Sequence, residues 1–226
     1  MKLLLENWRK FLLTEAAMTI EDLMNFKDDL DLGLEMYIRA RKNQEGGIEL
    51  SYASIDSRGE PYMLGNDALV RGEIEIVLGR SLGFDDIGPC DGAYQVKWST
   101  ATEGWGPLLY DVAIEYATMH GNGLIADRDM ISDDARAVWD YYLGQRGDVD
   151  NYQLDDLEDT LTPEIEVDNC AQDITAPEWE HSGTAWRAQI LKDSPLSKRY
   201  TKKPTTIVRL LKLKGRTGLP RFIDET

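Results

Sequence analysis

The stretch STATEGWGPLLYDVAIEYA, residues 99–117, leads from a run of small residues through two glycines into a helical pattern. Pro107 suits the first turn of a helix, where its missing N–H has no partner to lose. Apolar residues three and four positions apart predict an amphipathic helix: Leu108, Leu109, Val112, Ala113, Tyr116 and Ala117. Gly104 and Gly106 therefore lie at the mouth of a helix. Either they only allow the chain to turn, or they leave the backbone accessible to a bound ligand.

The segments around this helix alternate in the manner of strands. Ile74, Ile76 and Leu78 alternate with Glu73, Glu75 and Val77, and Tyr94, Val96 and Trp98 share one face of the next strand. Residues 48–64 predict two strands with a turn at 57–59. A short strand near residue 124 and a helix capped by Ser132 follow the central helix. This order predicts an α/β (α+β) fold, a mixed sheet flanked by helices with a strand–helix–strand crossover.

The two ends of the chain are less regular. Residues 2–13 and 19–38 predict helices, residues 151–186 predict loops with short helices, and residues 204–215 predict a closing helix. We expect residues 1–15 to be an amphipathic N-terminal helix and 16–150 to be the main domain, with its core at 72–149. We expect residues 151–226 to form an acidic loop region and a basic closing segment, packed on that core.

Composition limits the classes of function. The 226 residues carry a net charge of −16, which as a whole repels nucleic acid and anionic membranes. Acids dominate residues 148–180 and bases dominate residues 192–221, so the two stretches either neutralise each other or leave a basic tail for nucleic acid. Two cysteines and two histidines argue against a zinc site and predict unpaired thiols in a reducing compartment. No apolar run is long enough to predict a membrane span.

A glycine-containing loop that opens a helix exposes backbone N–H groups at the positive end of the helix dipole. This arrangement predicts a site for phosphate or pyrophosphate. Neither of two known phosphate-binding patterns is present: no Lys-Ser/Thr pair follows the loop, and the third glycine of a dinucleotide fingerprint is missing.

Residues 72–149 resemble the GNAT N-acetyltransferase superfamily. In that family a Gln/Arg-x-x-Gly-x-Gly/Ala loop holds the pyrophosphate of acetyl-CoA, and Gly104 and Gly106 match its two small positions. Ala101 stands where the family has Gln or Arg. In the second helix Trp139 stands where the family often has the Tyr that protonates the CoA thiolate. The resemblance implies acetyl-CoA as cofactor, with these binding residues: Trp98, Ser99, Thr102, Glu103, Gly104, Trp105, Gly106 and Pro107.

The same resemblance implies direct transfer of an acyl group to a bound amine. Glu73 and Glu75 are candidate bases, although an alternating strand also explains them as its solvent face. Tyr141 and Tyr142 are candidate acids in place of Trp139, although each is also explained as a core or surface aromatic. The acceptor amine, small molecule or protein, is not specified by the sequence.

The N-terminal segment resembles the short helices of proteins packaged into the heads of contractile-tailed phages. Leu13-Thr14-Glu15 followed by Ala16 fits the cleavage pattern of a prohead protease, which implies a head scaffold as partner of residues 1–15. An ordinary first helix packed on the domain is the alternative. The expected location is the host cytoplasm during infection, or the virion if the protein is packaged. The alternatives to an acetyltransferase are a non-catalytic internal virion protein and an interaction module on the same fold.

Overall fold

The computed structural model describes residues 19–24, 35–55, 63–64, 67–68, 70–78, 87–102, 104–127, 131–144, 146–157, 161–172, 184–212 and 221–226. The predicted helix at residues 2–13, the cleavage pattern at 13–16, the turn at 57–59 and the predicted cofactor ligand Glu103 lie outside the described residues.

The helices and strands alternate along most of the chain. The helices are α1 (Ile20–Met24), α2 (Gly106–His120), α3 (Asp133–Gly144), α4 (Thr184–Asp193) and α5 (Thr205–Lys212). The strands are β1 (Glu35–Lys42), β2 (Ile48–Ile55), β3 (Met63–Leu64), β4 (Asp67–Ala68), β5 (Val70–Leu78), β6 (Tyr94–Ala101), β7 (Leu124–Ile125), β8 (Val149–Gln153), β9 (Lys198–Lys202) and β10 (Arg221–Glu225).

Eight of these strands form one mixed sheet in the order β10-β1-β2-β5-β6-β7-β9-β8, and β3 pairs with β4 separately. β1 is antiparallel to β2, β2 to β5, β7 to β9, and β8 to β9, whereas β1–β10 and β6–β7 are parallel pairs. The mixed α/β class predicted from the sequence is thus confirmed. The second predicted strand of residues 48–64 exists, but Met63–Leu64 pairs with β4 rather than with β2.

The chain forms two compact units, each assembled from separate segments. The first unit contains residues 1–76, 98–115 and 204–226. Its core lies on the face of β1, β2 and β5 where Ile38, Leu50, Tyr52 and Ile74 are fully buried. Gly72 lets α2 approach this face, because a Cβ there would lie 3.2 Å from Tyr52 and 3.4 Å from Leu109.

The second unit contains residues 77–97 and 116–203, and its core is aromatic. The ring of Tyr200 lies 5.0 Å from that of Trp139 and 6.5 Å from that of Tyr142, and all three side chains are buried. The predicted cap of α3 is confirmed, since Ser132 Oγ accepts a hydrogen bond from the N–H of Ala135 at 3.2 Å. Helix α3 is therefore positioned by the packing of its buried side chains, among them Trp139 and Tyr142, and not by its exposed face.

The predicted unpaired thiols are wrong. Cys90 and Cys170 form a disulfide in the second unit, and both are fully buried. The backbone brings them together, because the N–H of Cys90 donates to the carbonyl of Asn169 at 2.8 Å. Residues 80 positions apart in the chain give no local sign of such a pairing.

The predicted helix at residues 19–38 is wrong at residues 35–38. The described part of that helix is α1, Ile20–Met24, whereas residues 35–42 form β1 between β10 and β2. The partner β10 comes from residues 221–225, so a local pattern carries no sign of this pairing. Strands β8, β9 and β10 were likewise not predicted. Lys198, Arg199 and Lys202, which the sequence placed in the basic segment, are buried in β9.

Candidate functional site

The glycine loop lies in the first unit and forms a tight turn. The N–H of Trp105 donates to the carbonyl of Thr102 at 3.0 Å, which closes a four-residue turn. Gly104 is the third residue of this turn and has a φ of +84°, a value that a type II turn requires and that glycine adopts without strain. Trp105 anchors the loop, since its buried ring meets Tyr52 edge-on at 5.3 Å.

Gly106 has a different environment. It is the first residue of α2, its φ is not positive, and a Cβ built on it would meet nothing closer than Ala101 Cβ at 4.0 Å. The described residues around Gly106 therefore leave room for a side chain. The turn explains the glycine at 104, but no described neighbour explains the glycine at 106.

At the start of α2 the backbone lies beside this space at Gly106, whereas Leu108 is buried. The helical hydrogen bonds begin with the N–H of Leu109, which donates to the carbonyl of Trp105 at 3.1 Å. The N–H groups of Gly106 and Leu108 precede that ladder, and Pro107 has none. The helix dipole adds partial positive charge at the same place, so the loop can hold an anion.

The strand that leads into the loop is exposed on both faces. Lys97 to Ala101 are all exposed, although successive strand residues point to opposite faces of a sheet. β7 is only two residues long and pairs with the start of β6, at Tyr94 and Gln95. Trp98 is 39% exposed, and Ser99 Oγ lies 3.0 Å from the hydroxyl of Tyr110. The end of β6 is therefore an accessible surface next to the loop.

The two candidate bases differ in their surroundings. Glu75 is buried, with its Oε1 accepting from Asn43 Nδ2 at 2.8 Å and its Oε2 accepting from Trp98 Nε1 at 2.5 Å. The interpretation of Glu75 as part of a solvent face is therefore wrong. β5 is an interior strand of the sheet, and both of its faces are covered here. Glu75 holds Trp98 in place instead.

Glu73 lies beside a second carboxyl group. Burial raises its pKa to about 7, and a hydrogen bond to Glu49 together with the charge of Glu49 adds to the shift. Burial also acts to raise the pKa of Glu49. However, hydrogen bonds from Arg41 and Glu73 lower it, and its pKa ends below the ordinary value. The two nitrogen–oxygen distances from Arg41 Nη2 to Glu49 are both 2.9 Å. A pKa of about 7 is the value that suits a general base at neutral pH.

The candidate acids belong to the second unit. Tyr142 is fully buried among Trp139 and Tyr200, so the alternative that it is a core aromatic describes its position. Tyr141 is half-buried, and the guanidinium of Arg146 lies 5.7 Å from its ring centre. The structure therefore places Glu73, Glu75, Trp98, Ser99 and the glycine loop in one unit and both tyrosines in the other.

Sequence reasoning missed three residues on the same sheet face as Glu73, namely Arg39, Glu49 and Ser51. The signal that points to the last two is the alternation of Glu49 and Ser51 with the buried Leu50 and Tyr52. Arg39 had no such signal, because the start of its strand, residues 35–38, was predicted as the end of a helix.

No family model matches the chain, and no curated protein or solved structure is significantly similar to it. In the described segments, no three His, Cys, Asp or Glu residues are grouped so as to hold a metal ion. The described helices are also too short or too polar to cross a bilayer.

Proposed function

We propose that the loop at residues 102–106 and the first turn of α2 bind the phosphates of an acyl-CoA, and that the protein transfers the acyl group to an amine in the manner of GNAT enzymes. The observation that carries this proposal is Gly106. Its missing side chain is not required by the backbone or by a neighbour among the described residues. A phosphate group approaching the start of α2 at Gly106 needs that space.

The exposed end of β6 supports the same proposal. A thioester bound at the loop would lie beside the exposed residues Trp98 to Ala101 at the end of β6. An exposed tryptophan held by a buried carboxylate is an ordered apolar surface, which suits the organic part of a cofactor.

The proposed chemistry needs a base, and Glu73 suits this role better than Glu75. The acceptor amine loses a proton, its nitrogen attacks the thioester carbonyl, and the carbon–sulfur bond then breaks to release the CoA thiolate, which takes up a proton. Both carboxylate oxygens of Glu75 accept hydrogen bonds from other side chains, whereas Glu73 has a pKa of about 7.

A thermal melt with and without acetyl-CoA and CoA tests the cofactor site. A ligand at about 100 times its dissociation constant adds about 2.7 kcal/mol of stability. In a chain of this size we expect a rise of roughly 5–10 °C in Tm. Gly106→Glu places a carboxylate where the phosphates bind, and we expect it to abolish the rise.

The matched control is Gly147→Glu, which adds the same charge at another glycine with no atom within 4 Å of a new Cβ. It should keep the full rise in Tm. If neither ligand shifts the Tm of a cooperatively melting wild type, the acyl-CoA proposal is wrong. If acetyl-CoA binds but no amine in a broad panel releases CoA thiol, the transferase proposal is wrong and the protein is a non-catalytic binder.

A further inference from the structure

Among the described strands, β8 lies at one end of the eight-stranded sheet and pairs with β9 alone. Asp150, Asn151 and Tyr152 in this strand are exposed. The strand contains no proline or lysine, and its register with β9 is continuous over all five residues. Proline, lysine and β-bulges are means by which proteins protect a sheet edge from other chains. The edge of β8 therefore lacks these means of protection.

The strand at the other end of the sheet, β10, has charges at its edge. Asp224 and Glu225 are adjacent exposed acids in this strand. Asp224 also accepts hydrogen bonds from the N–H of Thr226 at 3.1 Å and from its Oγ1 at 2.7 Å. Adjacent charges on an edge strand oppose pairing with another chain. Of the two ends of the sheet, β8 is thus the one better suited to accept a further strand.

The hydrogen bonds between β8 and β9 show which backbone groups of β8 point outward. In an antiparallel pair, residues that exchange hydrogen bonds with the partner strand alternate with residues whose N–H and C=O groups point away from it. The N–H of Leu154 donates to the carbonyl of Ser197 at 3.1 Å, which continues the register of β8 and β9 by one pair. The backbone groups of Leu154 therefore point towards β9, and so do those of Tyr152 and Asp150.

A contact on β9 gives the same alternation. Lys202 lies opposite Val149, and its N–H donates to Thr118 Oγ1 at 3.1 Å rather than to β8. This pair is therefore one without mutual hydrogen bonds, and the same holds at Asn151 and Gln153. The backbone N–H and C=O groups of these three β8 residues point to the open edge. In the described part of the chain, these groups have no hydrogen-bond partner.

The outward groups of β8 match those of an identical antiparallel strand. When Asn151 lies opposite Asn151 of a second copy, Val149 lies opposite Gln153 of that copy. The two strands then form three pairs with two hydrogen bonds each, and every outward group is used. Centring the two strands on Asp150 instead would lose one pair within β8 and place two carboxylates directly opposite each other, which is destabilising.

We propose that β8 is a self-association surface, to which β8 of a second copy adds antiparallel with Asn151 at the two-fold axis. In this register no like charges lie opposite each other within β8, since Asp150 of each copy faces Tyr152 of the other. The guanidinium of Arg199 lies 4.3 Å from the centre of the Tyr152 ring, so each Asp150 carboxylate approaches a cation. This complementarity favours a second copy as the added strand, and it is independent of the proposed transferase activity.

The size of β8 predicts a weak dimer. Two strands of five residues bury less area than the interfaces of stable dimers. Each copy also carries a net charge of −16, so the two copies repel each other at low salt. The dimer should therefore form only at high protein concentration, and salt that screens the net charges should favour it.

The experiment is sedimentation velocity of the full chain from about 5 to about 500 µM, in about 0.3 M NaCl to screen the net charges. We expect the average mass of the wild type to rise from 25.6 kDa towards twice that value. Asn151→Lys places two ammonium groups opposite each other at the two-fold axis. It should raise the dissociation constant of the dimer roughly tenfold or more.

Two further variants separate association from folding. Gly144→Lys adds the same charge at an exposed glycine, where a new Cβ has no atom within 4 Å, and should associate like the wild type. Asn151→Pro removes the outward N–H without removing a hydrogen bond to β9, and proline is tolerated at such edge positions. It should weaken the dimer as Asn151→Lys does. If Asn151→Pro does not fold, the comparison of Asn151→Lys with Gly144→Lys decides.

A cysteine cross-link tests the register of the dimer. Asn151→Cys places two thiols across the two-fold axis, where the Cα atoms of a hydrogen-bonded pair lie about 5.5 Å apart, a separation that a disulfide spans. Both native cysteines are already paired with each other. Oxidised glutathione should therefore link two chains of Asn151→Cys, while Gly147→Cys, four positions from the axis and outside β8, should link far more slowly.

The proposal is wrong if the wild type keeps a mass of 25.6 kDa up to about 500 µM. An edge that accepts a strand only from a different protein would give this result. The proposal is also wrong if Asn151→Lys associates as tightly as Gly144→Lys, or if Gly147→Cys cross-links as fast as Asn151→Cys.

Discussion

Glu73 and Glu75 are identical residues two positions apart on β5, and their neighbours give them different properties. Glu75 is fixed by Asn43 and Trp98, whereas Glu73 shares a proton with Glu49 at near-neutral pH. The alternating pattern of residues 72–78 treats the two as equivalent. The difference arises from β1, β2 and β6, which come from other parts of the chain.

Glu73 should make the stability of the protein depend on pH between about 4.5 and 7. In that window the folded protein holds a proton on Glu73 that the unfolded chain has lost, so its contribution is fully present below pH 4.5 and is lost as the pH rises through 7. Urea unfolding from pH 4.5 to 8 should therefore show Glu73→Gln gaining stability relative to the wild type. Glu49, with its lowered pKa, acts in the opposite sense and at lower pH.

The control for this series is Glu164→Gln, which changes an exposed carboxylate. The difference in stability between this variant and the wild type should be constant from pH 4.5 to 8. A stability difference between Glu73→Gln and the wild type that is constant from pH 4.5 to 8 contradicts the shared proton.

Replacing each of the two loop glycines by alanine should affect the stability of the protein in different directions. Gly104→Ala forces a side chain into a positive φ and should cost about 1–2 kcal/mol. Gly106→Ala meets no close neighbour in a helical position and should be neutral or stabilise by up to about 1 kcal/mol, while it weakens acyl-CoA binding. Urea unfolding measures the first effect and ligand titration the second. Equal losses of stability at the two positions would contradict the assignment of Gly104 alone to the turn.

At the scale of elements, α5 owes its start to a residue of α2. The fully buried Glu115 accepts from the N–H groups of Thr206 at 2.9 Å and Ile207 at 2.8 Å, and from Thr205 Oγ1 at 3.2 Å. A carboxylate at this position accepts hydrogen bonds from N–H groups in the first turn of α5, and its negative charge is stabilised by the positive end of the helix dipole. The sequence predicts α5 from its apolar spacing, but it does not predict that its cap comes from another helix.

Glu115→Ala should therefore destabilise the protein by about 2–4 kcal/mol, because two backbone donors lose their acceptor inside the protein. Glu115→Gln keeps one acceptor oxygen and should cost about half as much. Denaturant unfolding gives both values, with Glu164→Gln expected within about 0.5 kcal/mol of the wild type. A cost for Glu115→Ala in that same small range would mean that α5 does not depend on this cap.

At the scale of the whole molecule, the disulfide links two residues of the second unit that are 80 positions apart in the chain. It lies in a small buried cluster with Ala93, Ile125 and Leu154. A cross-link over this separation restricts the unfolded chain far more than the folded one.

Replacing both cysteines by alanine should lower the free energy of unfolding by roughly 2–4 kcal/mol, measured in urea without reductant. Adding reductant to the unfolded wild type should bring its stability close to that of the variant. Thiol titration of the denatured, unreduced protein should detect no free thiol. Two titratable thiols would contradict the pairing.

The sequence by itself determined the elements whose signals are local. The glycine loop, α2, α3 with its Ser132 cap, β5, β6 and α5 were all predicted, because apolar spacing and capping residues act within a few positions. The candidate loop was predicted for the same reason, since turn chemistry and a helix start are properties of neighbouring residues.

Only the tertiary structure decided the features that depend on distant partners. Residues 35–38 were predicted as part of a helix but form the start of β1, because β2 and β10 pair with this strand and β10 lies at residues 221–225. The disulfide, the cap from Glu115, and the hydrogen bond between Glu49 and Glu73 all join residues that are far apart in the chain. Hydrogen bonds across strands and burial determine these features. Neither produces a periodic pattern of residues within a single segment of the sequence.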